Sequence, residues 1–195
     1  SFIFMFWVFI AFICLLITTL FFGKKKDKQF LKFLYSVFGE LITKGMFLTV
    51  EKKIHHQFNE NESYVVVSNH QTAIDIPANV NGAPPEILFK FLGKKEADRI
   101  PFFGFIINRL CVLVDRKDEQ SRKTSYQRMK TEMDNGYSIF IYPEGTRNRT
   151  NNPLKDFYDG AFRLAIEMQK PIVVNTLVGI RQLNPPTHFF TYKPG

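Results

Sequence analysis

The first 22 positions, Ser1 to Phe22, form an apolar run interrupted only by Ser1, Thr18 and Thr19, with no charge anywhere in it. About 20 such residues cross a bilayer as a helix, so the pattern predicts a transmembrane anchor over residues 1–23. The basic leader, short apolar core and small-residue cleavage site of a secretory signal are not visible. Gly23-Lys24-Lys25-Lys26-Asp27-Lys28 follows at once, and a basic cluster beside an anchor marks the cytoplasmic side. From Gln29 to Leu48 apolar residues recur at Phe30, Leu31, Phe33, Leu34, Val37, Phe38, Leu41 and Ile42, which is one face of a helix. Residues 24–50 are therefore expected as an amphipathic helix, either packed on the core or lying in the lipid headgroup region. The aromatic content of the face tips the reading towards the membrane.

After a polar connector over residues 50–62, short apolar runs alternate with polar or helical stretches. Strands are expected near 64–68, 86–93, 110–115, 138–142 and 171–178, and helices near 75–80, 119–135 and 160–169. The alternation predicts an α/β domain over residues 51–195, with a mostly parallel or mixed sheet flanked by helices. The apolar stretch from Ile100 to Ile107, broken by Pro101 and Gly104, reads as core in preference to a surface for an acyl chain or membrane. Ser1 is not a methionine and Gly195 closes a polar, Pro-containing stretch, so both ends read as truncated.

At 195 residues the chain has room for one substantial core beside the anchor. Its formal net charge of +8 lies wholly outside the first 22 residues and favours anionic partners such as phosphorylated small molecules, lipid headgroups or nucleic acid. A nucleic-acid partner is not expected, because no recognition motif is present and an anchor is hard to reconcile with one. Cys14 and Cys111, in an apolar run and an expected strand, suggest neither a disulfide framework nor zinc. His55 and His56 lack cysteine or acidic partners at ligand spacing, so no metal is expected.

Candidate chemistry begins where the first strand ends, at Asn69-His70-Gln71-Thr72-Ala73-Ile74-Asp75. Histidine exchanges a proton near neutral pH, and a carboxylate on its Nδ1 would fix the tautomer and favour the imidazolium. Capping of the following helix by the same two residues is the competing reading. No Gly-x-Ser-x-Gly elbow and no obvious nucleophile accompany the pair, so a catalytic dyad would act on a hydroxyl of the substrate. The second candidate is Ile139-Phe140-Ile141-Tyr142-Pro143-Glu144-Gly145-Thr146-Arg147, an apolar strand running into a turn. Its guanidinium and backbone amides suit a phosphate, although Pro and Gly also punctuate ordinary surface turns. Lys94 and Arg116 fall at the ends of two further expected strands, where α/β proteins collect ligands.

In this order, Asn69-His70 with Asp75, Lys94, Ile100-Pro101-Phe102-Phe103-Gly104, Val114-Asp115-Arg116, Pro143-Glu144-Gly145-Thr146-Arg147, Gly160-Ala161-Phe162 and Pro171-Ile172-Val173 resemble the glycerolipid acyltransferase family. The likeness is greatest to bacterial 1-acyl-sn-glycerol-3-phosphate (lysophosphatidic acid) acyltransferases and covers roughly residues 64–178. Several spaced motifs in order are far more specific than any one of them. The resemblance implies a glycerol-3-phosphate acyltransferase-like fold. It also implies transfer of a fatty acyl group from acyl-CoA or acyl carrier protein to the free hydroxyl of lysophosphatidic acid, giving phosphatidic acid.

On that resemblance His70 is the general base and Asp75 its orienting acid. Lys94, Arg116 and Arg147 hold the glycerol phosphate, with Glu144, Gly145 and Thr146 shaping the turn. No cofactor beyond the acyl thioester is implied. The implied setting is a bacterial inner membrane, with the catalytic part on the cytoplasmic side among membrane lipids. Three positions depart from the family pattern: Leu110 stands for glycine, Tyr158 for lysine and Val174 for the second proline of the Pro171 motif. These leave open other acceptors, such as glycerol 3-phosphate or a different lysolipid. A non-catalytic, membrane lipid-binding protein is the reading from another class.

Overall fold

The computed structural model describes residues 27–99 and 103–183, together with Ile13. In chain order its elements are α1 (Asp27–Gly45), β1 (Val65–Ser68), α2 (Asp75–Gly82), β2 (Phe89–Lys94), a 3₁₀ turn (Lys95–Arg99), α3 (Phe103–Leu110), β3 (Cys111–Val114), α4 (Glu119–Asp134), β4 (Ser138–Ile141), α5 (Gly160–Met168), β5 (Ile172–Asn175) and α6 (Ile180–Leu183). The five strands form one sheet in the order β3-β2-β4-β1-β5. Every pairing is parallel, with Val66 opposite both Phe140 and Val173. All carboxyl ends therefore lie along one edge, the edge where open α/β sheets bind ligands.

The core follows from side-chain alternation along strands that are apolar on both faces. Val65, Val67, Ile139 and Ile141 face one way and pack with Met129 and Met133 of α4 and Ala161, Leu164 and Ala165 of α5. Tyr64, Val66, Phe89, Phe91 and Phe140 face the other way, with Val80 of α2 and the Tyr35 ring of α1. Asp118 starts α4 by accepting from the amides of Gln120 and Ser121 at 3.1 and 3.2 Å, and such a cap contributes about 1 kcal/mol.

The helix expected near residues 29–48 is α1, and Leu31, Ile42 and Met46 are buried while Phe33 is exposed. Its contact with α2 is close. Thr43 Oγ1 donates to the Gly39 carbonyl at 2.6 Å and accepts from Asn81 Nδ2 at 2.7 Å. The anchor expected over residues 1–23 lies outside the described residues apart from Ile13. Among the described residues no helix is long and apolar enough to cross a membrane.

Besides the 3₁₀ turn and the short α6, neither of them expected, two elements differ from expectation. Residues 103–107 of the stretch read as broken apolar core lie in the helix α3, which runs on to Leu110 and whose period the neighbouring Pro101 and its own Gly104 obscured. β5 spans only Ile172–Asn175 of the expected 171–178, because the backbone at Leu177 leaves the sheet to pair with the side chain of Asn69.

A Cβ at Gly39 would sit 2.7 Å from the backbone nitrogen of Asn81. Gly39→Ala should therefore push α1 off α2 and lower the free energy of unfolding by about 1–3 kcal/mol in a urea titration. An unchanged midpoint would remove this helix contact from the account.

Candidate active site

Asp75 is the first residue of α2 and has no exposed surface. Its Oδ2 accepts from His70 Nδ1 at 2.8 Å, from the Thr72 amide at 2.9 Å and from the Gln71 amide, while Oδ1 accepts from Thr72 Oγ1 at 3.1 Å. One carboxylate thus holds both the imidazole and its own loop, while no side chain caps the start of α2. An Nδ1–H held on the carboxylate leaves the lone pair of the imidazole on Nε2, which is the arrangement of a general base.

The turn after β4 is fastened to this loop through the main chain of His70. Glu144 is 1% exposed, and its Oε1 accepts from the His70 amide at 2.7 Å. Its Oε2 accepts from the amide of Lys155 at 3.0 Å. The Asn148 amide donates to the carbonyl of His70 at 2.6 Å, and the Asn148 side chain, fully buried, organises Thr150 and Asn152. On the other side Asn69 donates from Nδ2 to the Leu177 carbonyl and accepts the Leu177 amide on Oδ1, at 3.0 and 2.8 Å. Three loops at the sheet edge are tied together around one histidine.

Gly145 has φ +72°, and its amide donates to the Tyr142 carbonyl at 3.0 Å. A Cβ there would lie 2.7 Å from Tyr158 Cε2, with Arg116 Nη1 in ordinary contact at 3.6 Å, so glycine is favoured both by conformation and by the close approach of the Tyr158 ring. Tyr158 is 71% exposed and lies against the turn. Burial pulls the Arg116 pKa down, opposed by Tyr158 and Glu96, yet a guanidinium remains a cation at neutral pH. Thr146 Oγ1 accepts from Lys155 Nζ at 2.8 Å.

The structure therefore brings together His70, Asp75, Glu144, Gly145, Thr146 and Arg116, with Arg147 half-buried in the same turn. Lys94, exposed at the end of β2, lies further along the sheet edge, with β4 between its strand and β1. Glu144 faces inward and holds two amides, so its place in the site is underneath the turn. The sequence reading missed Asn79, Asn148 and Lys155, and named Tyr142 only as part of the second candidate, without a role of its own. Tyr142, one residue beyond β4, is the one whose strand-end position could have singled it out.

The imidazole of His70 lies flat against the ring of Tyr142, with centroids 4.0 Å apart and planes inclined by 16°. Cys111 is buried in the core, and that burial pushes its thiol up to about 12, which makes it a poor nucleophile. Among the described residues no three His, Cys, Asp or Glu side chains could hold a metal ion together.

The Acyltransferase family model matches residues 49–177. This chain belongs to that family. It is 28% identical over 118 residues to a 1-acyl-sn-glycerol-3-phosphate acyltransferase of Helicobacter pylori, covering 58% of this chain and 49% of that protein. A chloroplastic 1-acyl-sn-glycerol-3-phosphate acyltransferase of Brassica napus is 32% identical over 122 residues, 62% of this chain and 34% of its own. The human alpha form is 30% identical over 128 residues, 65% and 44% of the two chains. The chain thus spans about a third to a half of the length of these curated relatives. The crystal structure of the lysophosphatidic acid acyltransferase PlsC from Thermotoga maritima shares the fold, with a TM-score of 0.78 at 21% identity over 99% of this chain and 79% of that one.

Glu144→Gln replaces an acceptor with an NH₂ group at one of the two main-chain amides it holds. The unfolding free energy should fall by about 1–3 kcal/mol, measured by urea denaturation with tryptophan-independent circular dichroism. Stability equal to the parent would count against the carboxylate as the fastening of these loops.

Proposed function

We propose that the protein transfers a fatty acyl group from a thioester, acyl-CoA or acyl carrier protein, to the free hydroxyl of 1-acylglycerol 3-phosphate, forming phosphatidic acid. The observation that carries this reading is the buried Asp75 carboxylate 2.8 Å from His70 Nδ1, at the carboxyl edge of a family fold whose similar proteins bear that activity in their names. His70 Nε2 takes the proton of the acceptor hydroxyl as its oxygen attacks the thioester carbonyl. Collapse of the tetrahedral intermediate expels the thiolate, which recovers a proton from the imidazolium. Asp75 holds the ring and stabilises its charged form. No acyl-enzyme forms, a route supported by the burial of Cys111 and the lack of an activated serine in the motifs.

Arg116, Arg147 and Lys94 supply positive charge for the glycerol phosphate, and Gly145 and Thr146 shape the turn that receives it. The buried Glu144 supports that turn from beneath. The apolar segment over residues 1–23 and the helix after it would keep the protein at the membrane, where both the lysolipid and the product reside. No cofactor is needed beyond the acyl donor.

His70→Ala should lower acyl transfer by roughly 10²- to 10⁴-fold while the far-ultraviolet circular dichroism is kept, followed as release of free thiol from the donor. A folded variant retaining most of the activity would sink the base assignment. Arg147→Ala should lower kcat/KM for the acceptor about tenfold or more and leave the KM for the thioester unchanged. Side-by-side product assays with lysophosphatidic acid, glycerol 3-phosphate and headgroup-bearing lysolipids, each with both donors, identify the substrates. Thiol release with none of them would leave a lipid-binding role in place of the enzyme.

A further inference from the structure

A hydrogen bond to Asp75 holds one edge of the His70 imidazole, but the ring can still tilt about that bond. The Tyr142 ring covers the face that such a tilt would sweep. It lies 4.0 Å from the imidazole at 16° and is itself backed by Phe91, whose ring is nearly parallel at 6.4 Å, and by Phe140 at 5.3 Å. The phenol oxygen accepts from Asn79 Nδ2 at 3.0 Å, and Asn79 Oδ1 accepts from Asn175 Nδ2 at 2.6 Å. These three residues come from the end of β4, from α2 and from the end of β5. Asn79 has no exposed surface. Burying an amide costs free energy that an apolar residue would not, so a buried amide pair ending on a phenol acts chiefly to fix geometry.

We propose that Tyr142 is a positioning residue for His70: anchored by Asn79 and Asn175, its ring fixes the plane of the imidazole and so the direction of Nε2. The electron-rich face of the phenol also attracts the imidazolium that forms when the hydroxyl proton is taken. The ring stays neutral in this role, because burial raises the phenol pKa well above its ordinary value and the Asp75 charge raises it further, against a smaller opposing effect of the Asn79 bond. A charged phenolate would compete with the imidazole for protons, whereas a neutral ring only holds it. The effect on rate rests on the proposed acyl transfer, while the effect on ring order does not.

Three variants test this. Tyr142→Leu removes the stacked ring and should lower kcat about tenfold or more, with both KM values within about twofold, as expected for a misdirected base. Tyr142→Phe keeps the ring and should restore most of that loss. Asn79→Leu combined with Asn175→Val removes both amides without stranding either, and should resemble Tyr142→Phe; joining all three changes should add no further loss, since one anchoring chain is being cut. Without substrate, the carbon–proton NMR signals of the His70 ring should broaden in Tyr142→Leu and stay narrow in the parent. Unbroadened signals, a kcat within twofold of the parent, or a loss confined to KM would overturn the assignment. If Tyr142→Leu does not fold, additive losses between Tyr142→Phe and the asparagine pair would overturn it equally. An inactive parent would remove the acyl-transfer reading alone, and the NMR comparison would still decide the positioning of His70.

Discussion

A carboxylate with no exposed surface is tolerated as an anion only when its lone pairs are occupied, and Asp75 sets that requirement for the whole end of β1. To meet it, the loop from Asn69 to Ile74 curls so that two main-chain amides, a hydroxyl and the imidazole of His70 all point at the start of α2. The first turn of a helix favours negative charge, so the position itself adds to the effect. Glu144 repeats the device from the neighbouring turn, occupying both its oxygens with main-chain amides. His70 is where the two meet, its ring held by one buried carboxylate and its backbone by the other.

Parallel pairing makes this meeting possible. β4 lies on one side of β1 and β5 on the other, both running the same way, so residues 142–148 and 176–177 leave the sheet beside residues 69–70. The backbone polar groups of such loops must find partners once they are drawn together. They do so through the side chains of Glu144 and Asn69 and through the main-chain bond from Asn148 to His70. β2 and β3 reach the same edge on the far side of β4, and the Arg116 guanidinium crosses towards Gly145. Lys94 ends β2 and stays exposed.

The five strands and the helices after β1, β3 and β4 were legible because each has a period or composition that local physics fixes. The pairing of His70 with Asp75 was legible for a similar reason, since the spacing spans a single loop. Glu144 was harder. A charged residue between Pro143 and Gly145 reads as turn surface, and only tertiary packing reveals that its carboxylate looks inward. Asn79, Asn148 and Asn175 carry no linear signal, because their partners come from other loops, and an asparagine in a helix or at a strand end is unremarkable by composition. The helix over Phe103–Leu110 escaped because Pro101 and Gly104 break up the apolar stretch in which it begins.

The proposed reaction asks more of such loops than a serine hydrolase would. A nucleophile on the protein is held by its own backbone, whereas a hydroxyl on a lipid must be brought to the base, so orientation has to come from the binding turn and from the base itself. Effective molarities reached by good alignment are large, and a displacement of about 1 Å can forfeit a hundredfold. A histidine on a free loop would meet that demand poorly. Here the main chain of His70 is fixed at its amide by Glu144 and at its carbonyl by Asn148, while the ring is fixed at an edge by Asp75 and at a face by Tyr142. The orientational cost is then met when the chain folds, by buried polar contacts that do not touch the substrate.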